Sequence, residues 1–140
     1  MIFNKLNFNQ LEQIKNLEND IFKENGYNIT ELQSFNANSS IYFCLNTVNN
    51  YIIGYAIFLM DYKLIEIYKI AVNRNNWKKN IGTQIINEIK TFKKDILIEV
   101  SDKDDTVSFY KKNGFTLITT RQNYYMDNSN ALIMKWLVTK

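Results

Sequence analysis

The chain has 140 residues, 46% of them hydrophobic and 22% charged, with a formal net charge of +3, no histidine and a single cysteine, Cys44. These counts exclude Ser-His-Asp and Cys-His nucleophilic sites, histidine-containing and thiolate metal sites, and intrachain disulfides. A general base would therefore be a carboxylate, or less favourably a Lys, Tyr or Cys side chain. No metal cofactor is expected.

Strand and helix patterns alternate along the chain. In chain order they predict a strand over residues 1–7, helices beginning near Asn7 and Thr30, strands over 41–46, 51–60 and 64–72, a helix over 81–94, a strand over 96–100, a helix over 104–113, and strands over 115–122 and 130–138. Neither a repeat nor a linker divides this series. The order predicts one α/β domain over residues 1–140 with a mixed sheet.

Local signals support several of these boundaries. Asn7 or Asn9 can cap the first helix, and Gly114 lies just past the end of the last one. The polar residues 47–50 lie between two apolar runs, which is typical of a β-hairpin. The longest uncharged apolar run, residues 51–60, has ten residues, about half of what a helix needs to cross a bilayer. No membrane segment is therefore expected, and the single cysteine favours a cytoplasmic location.

The junction between the strand over 64–72 and the helix over 81–94 is the first candidate site. A helix N-terminus presents unpaired N–H groups and a partial positive charge, which together bind phosphate. The residues that lie where this N-terminus is expected are Lys78, Lys79, Asn80, Gly82 and Thr83. Phosphate loops usually contain two or three glycines, so a basic turn without a ligand explains these residues equally well.

The distribution of charge along the chain agrees with an anion site in its second half. Residues 1–62 carry three basic and six acidic side chains, for a net charge of −3, whereas residues 63–140 carry fourteen and eight, for +6. A solvated lysine-rich surface is the alternative explanation. Direct binding to nucleic acid is not expected, because the basic residues are interleaved with acidic ones and the aromatic residues fall mainly at strand positions.

The second candidate site pairs Glu99 with Tyr110. Glu99 lies within the apolar strand over residues 96–100, where an ionised carboxylate is costly unless it is paired or faces a cleft. Tyr110 lies on the following helix and can donate a proton from its phenol. A base and an acid are one interpretation of this pair, and a solvent-exposed glutamate with a core tyrosine is the other.

Four segments of the chain resemble the GNAT superfamily of N-acetyltransferases. They are residues 50–56 (NYIIGYA), 70–72 (IAV), 78–82 (KKNIG) and 108–115 (SFYKKNGF), and their spacing agrees over nearly the whole chain. The resemblance implies an α/β GNAT fold with a mixed central sheet of about seven strands, splayed at the acetyl-CoA site and flanked by about four helices. It also implies acetyl-CoA as the co-substrate.

The C-terminal third resembles the RimI branch of this superfamily, which acetylates protein N-termini and typically the alanine of ribosomal protein S18. The segments that carry this likeness are residues 98–100, 109–115, 121–125 and 131–134. The resemblance implies that the acceptor is a protein N-terminus or peptide, such as that of ribosomal protein S18.

The resemblance also implies a role for individual residues. Glu99 would accept the proton of the acceptor amine, and Tyr110 would protonate the leaving thiolate. Lys69 would lie beside the acceptor, with Tyr124 and Tyr125 in the loop that shapes the peptide entrance. The strand that offers backbone groups to the pantetheine arm and the loop that binds the pyrophosphate would consist of Ile70, Ala71, Val72, Lys78, Lys79, Asn80, Ile81, Gly82 and Thr83.

The chain departs from the family pattern at several of these positions. Trp77 replaces the Gln or Arg that usually begins the pyrophosphate loop, and Asn80 replaces its first Gly. Asparagine tolerates left-handed backbone angles better than most residues and keeps its N–H group. Lys103 or Asp104 stands in place of an Asn that contacts CoA, and Lys69 in place of an Asn beside the acceptor.

Two alternatives to a protein N-terminal acetyltransferase stay open. The first is a GNAT enzyme for a small amine or a lysine side chain, which Tyr124 and Tyr125 would favour if they lined a small closed pocket. The second is a CoA-binding module without turnover, motivated by Trp77 and Asn80. CoA binding without turnover in the parent protein would favour the second, and a rate unaffected by both Glu99→Gln and Tyr110→Phe would remove the catalytic roles of these residues.

Overall fold

A computed structural model describes residues 1–138, in which seven strands form one sheet and four α-helices cover its faces. The strands are β1 (Ile2–Phe3), β2 (Ile41–Val48), β3 (Tyr51–Met60), β4 (Leu64–Val72), β5 (Asp95–Ser101), β6 (Thr116–Arg121) and β7 (Ala131–Trp136). The helices are α1 (Phe8–Phe22), α2 (Ile29–Ala37), α3 (Ile81–Lys90) and α4 (Val107–Lys112). The predicted order of elements and the mixed sheet are confirmed; residues 139 and 140 of the predicted domain lie outside the described residues.

Five elements are shorter than predicted, namely β1, β6, β7, α3 and α4, and the largest differences are in β1, α3 and α4. β1 pairs with β2 only through Ile2 and Phe3. α3 ends at Lys90 because Lys93 takes a left-handed φ of 55°, which a helix does not accommodate. Before α4, the Asp104 carboxylate accepts hydrogen bonds from the N–H and the hydroxyl of Thr106, and this turn takes the place of the predicted first helical turn.

Asparagine side chains begin the first two helices. Asn7 accepts a hydrogen bond from the Gln10 N–H at 2.9 Å, while the Gln10 side chain accepts one from the Asn7 N–H, and Asn28 and Glu31 make the same reciprocal pair. Asn7 is therefore the cap of α1, in preference to Asn9. None of the helices within residues 1–138 has the length and apolarity to cross a bilayer.

The sheet opens between two neighbouring strands. Its order is β1-β2-β3-β4-β5-β7-β6, and β4 and β5 form the parallel pair, whereas the other neighbours are antiparallel. Pairing of β4 with β5 runs from Leu64 opposite Asp95 to Ile67 opposite Ile98 and then stops. The last five residues of β4, 68–72, thus have no partner on β5. The splay implied by the resemblance is confirmed.

A β-bulge lies where the splay begins. Ile57 of β3 pairs with Lys69 of β4, but the next residue, Phe58, pairs with Ile67, so that Tyr68 is an extra residue. Such a bulge bends the strand and interrupts the alternation of its side chains. Tyr68 and Lys69 consequently both face the layer of α1 and α2: the Tyr68 ring centroid lies 5.9 Å from that of Phe35, and Lys69 contacts Glu18.

Each face of the sheet carries its own core. Phe43 and Ile57 pack beneath α1 and α2, whereas Cys44, Ala56 and Phe58 pack beneath α3 and α4. Successive side chains of a strand point to opposite faces, so both faces of β2 and β3 are buried. The opening between β4 and β5 lies between these two layers.

Candidate active site

The splayed part of β4 directs backbone groups into the opening. The Asn73 N–H donates to the Ile53 carbonyl at 2.7 Å, and hydrogen-bonded and non-bonded pairs alternate along an antiparallel ladder. The N–H and C=O groups of Ile70 and Val72 therefore point away from β3, toward the side where β5 no longer pairs. They are donors and acceptors that an extended, amide-containing ligand can pair with.

Trp77 already contacts one of these groups. Its indole Nε1–H donates to the Val72 carbonyl at 2.7 Å, and the Arg74 guanidinium lies 5.4 Å from its ring centroid. This bond draws the loop after β4 back toward the strand. It leaves the Val72 N–H available for a ligand.

The N-terminus of α3 is built to receive an anion. Asn80, its cap residue, has φ 61° and ψ 20°, the left-handed conformation that a glycine would take, and its side chain makes no capping hydrogen bond. Lys78 is also left-handed, with φ 66°. The first N–H groups of α3 therefore lack a side-chain acceptor, in the arrangement that binds phosphate elsewhere.

Gly82 allows α4 to approach this helix end. A Cβ at Gly82 would lie 3.0 Å from two atoms of the Phe109 ring, a distance that forces a neighbour to move. The missing side chain thus lets Phe109 pack directly on the first turn of α3. This contact places α4, with Tyr110, against the opening.

A cleft of about 440 Å³ joins the splayed strand, the α3 N-terminus and α4. The predicted site residues that line it are Ile70, Ala71, Val72, Lys78, Asn80, Ile81, Gly82, Thr83 and Tyr110. Lys79 is exposed and is not among the lining residues. Trp77, at the start of the predicted pyrophosphate loop, also lines the cleft. The other lining residues were not assigned to the site from the sequence: Ile21, Phe22, Asn76, Asp105, Thr106, Phe109 and Lys112.

The charged residues of the cleft favour an anionic ligand. Lys78 and Lys112 line it together with one acidic residue, Asp105. The two ammonium groups exceed the single carboxylate, and the partial positive charge of the α3 N-terminus adds to them. A pyrophosphate at this end of the cleft fits that balance.

Tyr110 is a buried phenol at the wall of the cleft. Its side chain is 4% exposed and makes edge contacts with the rings of Phe109 and Phe115, at centroid distances of 5.1 and 5.5 Å. Burial raises the pKa of Tyr110 above its usual range, and the nearby Asp104 carboxylate acts in the same direction. The hydroxyl therefore stays protonated at neutral pH, as a proton donor must.

Glu99 lies at the start of the opening but on the other face of the sheet. It follows Ile98, the last residue of β5 that pairs with β4. Ile98 and Val100 pack in the same cluster as Tyr110, so Glu99 projects to the face of α1 and α2. Its side chain is 33% exposed, with Arg121 Nη1 at 3.9 Å from its carboxylate. Glu99 is thus a solvent-accessible carboxylate that is not among the residues lining the cleft, whereas Tyr110 is.

Tyr124 and Tyr125 lie beside Glu99 and not in the cleft. The Tyr125 hydroxyl donates to Glu99 Oε1 at 3.4 Å, and partial burial together with the Glu99 charge raises the pKa of Tyr125 to about 12. The Tyr124 ring contacts that of Tyr125 edge-on at 5.2 Å and is 50% exposed. The loop therefore leaves Glu99 open to solvent.

Lys69 points toward α1. Its Nζ lies 3.1 Å from Glu18 Oε1 and 3.6 Å from the ring centroid of Phe22, which lines the cleft. The sequence interpretation missed Glu18, although a signal was present. Glu18 is four residues from both Ile14 and Phe22, so it falls on the apolar face of α1, where a charge requires a buried partner.

Within residues 1–138, no cluster of three or more Cys, Asp or Glu side chains could hold a metal ion.

Comparisons with known proteins identify relatives of this chain. The protein-family model described as "Acetyltransferase (GNAT) family" matches residues 9–115. Among solved structures, ribosomal-protein-S18-alanine N-acetyltransferase from Escherichia coli is 20% identical with a TM-score of 0.80, over 100% of this chain and 94% of that one. An aminoglycoside 6'-N-acetyltransferase complexed with coenzyme A is 15% identical with a TM-score of 0.87, over 100% and 98%. Arabidopsis thaliana NAA60 in complex with a bisubstrate analogue is 15% identical with a TM-score of 0.79, over 97% and 96%.

At these identities the solved structures establish the fold, and the GNAT fold implied by the sequence is confirmed. A search of curated proteins found no match.

Proposed function

Because the chain belongs to the acetyltransferase (GNAT) family, it is an N-acetyltransferase with acetyl-CoA as its co-substrate, and we propose that its acceptor is the N-terminal α-amine of a protein. This is the activity of the RimI branch that the sequence resembles, and ribosomal protein S18 is the model acceptor. One observation carries the proposal. Tyr125 contacts Glu99 and the neighbouring Tyr124 is half exposed, in a loop that does not line the cleft, so that a peptide can reach the carboxylate without entering a closed pocket.

The chain offers suitable groups along the length of acetyl-CoA. The backbone of residues 70–72 suits the amides of the pantetheine arm, and residues 78–83 with Lys112 suit the pyrophosphate. Acetyl-CoA supplies an acetyl thioester, which is reactive toward a neutral amine. The residues of this chain then bind it, orient it and move protons.

The proposed proton transfers use both faces of the sheet. Glu99 accepts the proton of the acceptor amine, directly or through a water molecule. The Val72 N–H, which points into the opening, donates a hydrogen bond to the carbonyl oxygen as it becomes negatively charged. Tyr110 supplies a proton to the leaving sulfur from the other side. In this proposal both groups act on one reaction centre at the opening between β4 and β5, and no covalent enzyme intermediate is needed.

The pKa of an α-amino group agrees with the choice of a protein N-terminus as the acceptor. An α-amino group has a reference pKa of about 7.7 to 8.0, whereas that of a lysine is about 10.4. Near neutral pH an α-amine is partly neutral, so a solvent-accessible carboxylate such as Glu99 is a sufficient base. We also place the protein in the cytoplasm, because its buried free thiol, Cys44, fits a reducing compartment.

Electrostatics on the acceptor side disfavour a polycationic small amine. Glu18 is paired with Lys69 at 3.1 Å, and Glu99 lies 3.9 Å from Arg121. An amine with several ammonium groups would compete with these internal cations for the same carboxylates. A peptide N-terminus carries a single amine and needs only one acceptor of its proton.

The test uses the full chain with acetyl-CoA and a panel of acceptors analysed by mass spectrometry. Peptides that begin with Ala, Ser, Met or Lys are compared with the same peptides blocked at the N-terminus, and with spermidine. We expect acetylation of free N-termini and none of the blocked peptides. Acetylation of spermidine alone would contradict the proposal, and CoA binding without any turnover would indicate a binding module.

A further inference from the structure

The ammonium group of Lys69 lies in a cage formed by α1 and the loop after it. Its Nζ is 3.1 Å from Glu18 Oε1, 3.6 Å from the ring centroid of Phe22 and 4.6 Å from that of Tyr27. Glu18 is fully buried and the Lys69 side chain is only 17% exposed. A carboxylate and two aromatic faces thus surround a single ammonium group.

The cage is held together by contacts that do not involve Lys69. Glu18 accepts hydrogen bonds from the Tyr55 hydroxyl of β3 and from the Tyr27 N–H, the latter at 2.8 Å. The loop can reach α1 because residue 26 is glycine: a Cβ there would lie 2.6 Å from the Glu18 carbonyl oxygen. Tyr27 also packs edge-on against Phe35 of α2, with ring centroids 4.9 Å apart. The binding groups are therefore positioned by α1, α2 and β3, and the ammonium comes from β4.

These groups are the ones that bind alkylammonium ions. Aromatic faces within about 6 Å attract a cation through their quadrupole, and a carboxylate without solvent needs a cationic partner. The cage adjoins the cleft, because Phe22 contributes to both and Ile70, which follows Lys69, also lines the cleft. A cationic acceptor bound against Phe22 would therefore lie next to this cage.

We propose that Glu18, Phe22 and Tyr27 form an alkylammonium-binding site which Lys69 fills from within the chain, and that Lys69 thereby excludes polycationic amines from the acceptor side. The exclusion rests on the proposed function, since it deepens the preference for a peptide N-terminus. The ammonium site itself does not depend on the identity of the acceptor.

The first experiment tests the site with n-propylammonium and Lys69→Ala. This variant lacks three methylene groups and the amine, which together correspond to the probe. We expect saturable binding to Lys69→Ala by calorimetry, with a Kd on the order of 1 mM. The parent protein, whose site is filled, and the variant Glu18→Gln/Lys69→Ala, which lacks the carboxylate, should not bind. The neutral isostere n-propanol should bind to none of the three.

The outcomes of this experiment decide whether Glu18, Phe22 and Tyr27 form an alkylammonium-binding site. Absence of binding to Lys69→Ala, or equal binding to Glu18→Gln/Lys69→Ala, overturns it. If Lys69→Ala is unfolded by circular dichroism, the probe is added during refolding. Recovery of the native spectrum with propylammonium but not with propanol supports the site, and failure to recover overturns it.

The second experiment tests the exclusion. We expect Lys69→Ala to raise kcat/KM for spermidine roughly tenfold over the parent, with no similar rise for a peptide that begins with Ala. No gain for spermidine overturns the exclusion while leaving the ammonium site intact. If the parent acetylates no N-terminus, the proposed function fails, but propylammonium binding to Lys69→Ala still reports on the site.

Discussion

Two carboxylates on the same face of the sheet have opposite environments. Glu18 is fully buried, 3.1 Å from the ammonium of Lys69, and bonded to Tyr55 and Tyr27. Glu99 is 33% exposed, 3.9 Å from Arg121, with the Tyr125 hydroxyl at 3.4 Å. Lys69 is on β4 and Glu99 is on β5, so the two ion pairs lie on the two strands that separate.

The difference assigns different tasks to the two residues. A buried carboxylate with an ammonium, a phenol and an N–H around it has every oxygen engaged, and it stabilises the end of α1 against β4. A partly exposed carboxylate with longer contacts can exchange protons with an acceptor or with water. We therefore expect substitutions at Glu99 to affect rate and those at Glu18 to affect stability.

The largest expected effect is on the rate of the Glu99→Gln variant. Loss of a general base typically lowers kcat by roughly 10² to 10⁴. The measurement is the initial rate of CoA release with an Ala-initiated peptide at saturating acetyl-CoA. Glu66→Gln, which changes an exposed glutamate on β4, is the matched control and should retain the parent rate. Equal rates for the parent and Glu99→Gln would remove Glu99 from the mechanism.

Tyr110→Phe is expected to lower kcat by about 10², because it removes the proposed proton donor and keeps the ring packing. Burial raises the pKa of Tyr110, so the hydroxyl stays protonated as the pH rises through the usual tyrosine range. The kcat profile of the parent should thus show no decline from this group below about pH 10. Tyr62→Phe, at an exposed tyrosine, serves as the control. A decline near pH 8 that Tyr110→Phe abolishes would contradict this account.

Glu18→Gln is expected to affect the stability of the fold, whereas Glu99→Gln is expected to affect the rate. It leaves the Lys69 ammonium without its partner, which should lower the free energy of unfolding by about 3 kcal/mol, measured by urea denaturation. Glu18→Gln/Lys69→Met, which removes both charges, should be less destabilised than the single variant. Glu99→Gln should change the unfolding free energy by less than about 0.5 kcal/mol. If Glu99→Gln were less stable than Glu18→Gln, the expected difference between the two carboxylates would be contradicted.

Cofactor affinity should depend on neither carboxylate but on the loop before α3. Asn80 has a left-handed φ of 61°, a conformation that costs a β-branched residue about 1–2 kcal/mol. Asn80→Val should weaken CoA binding roughly tenfold by calorimetry, whereas Asn80→Gly should preserve it. If Asn80→Val binds CoA like the parent, the backbone of this loop does not contribute to binding.

The smallest expected effect is that of Tyr125→Phe, about threefold in kcat/KM for the peptide, because the hydroxyl contacts Glu99 at a long 3.4 Å. Its pKa of about 12 lies above the usual value, so the hydrogen bond is present below pH 10 and is lost as the pH approaches 12. The ratio of parent to variant should thus stay constant between about pH 6 and 9. A ratio that changes within this window would mean that Tyr125 itself titrates there.

Much of the candidate site could be predicted because its signals are local. The apolar spacing of residues 81–89, the residue types of the loop before them and a carboxylate inside an apolar strand are readable over short windows. They predicted the order of elements, and most of the residues predicted to bind the cofactor line one cleft. The left-handed Asn80 was also foreseeable, because asparagine is the residue that best replaces glycine there.

What the sequence by itself determined, then, is the series of helices and strands and the chemical types at their ends, since both depend on periodicity and on neighbouring residues. The tertiary structure decided the rest. It alone showed that β4 and β5 part after Ile67, that Glu99 and Tyr110 lie on opposite faces, and that Glu18 meets Lys69 across 51 positions of the chain. Strand register, a bulge at one residue and a buried ion pair depend on which distant side chains meet, and no local pattern encodes that meeting.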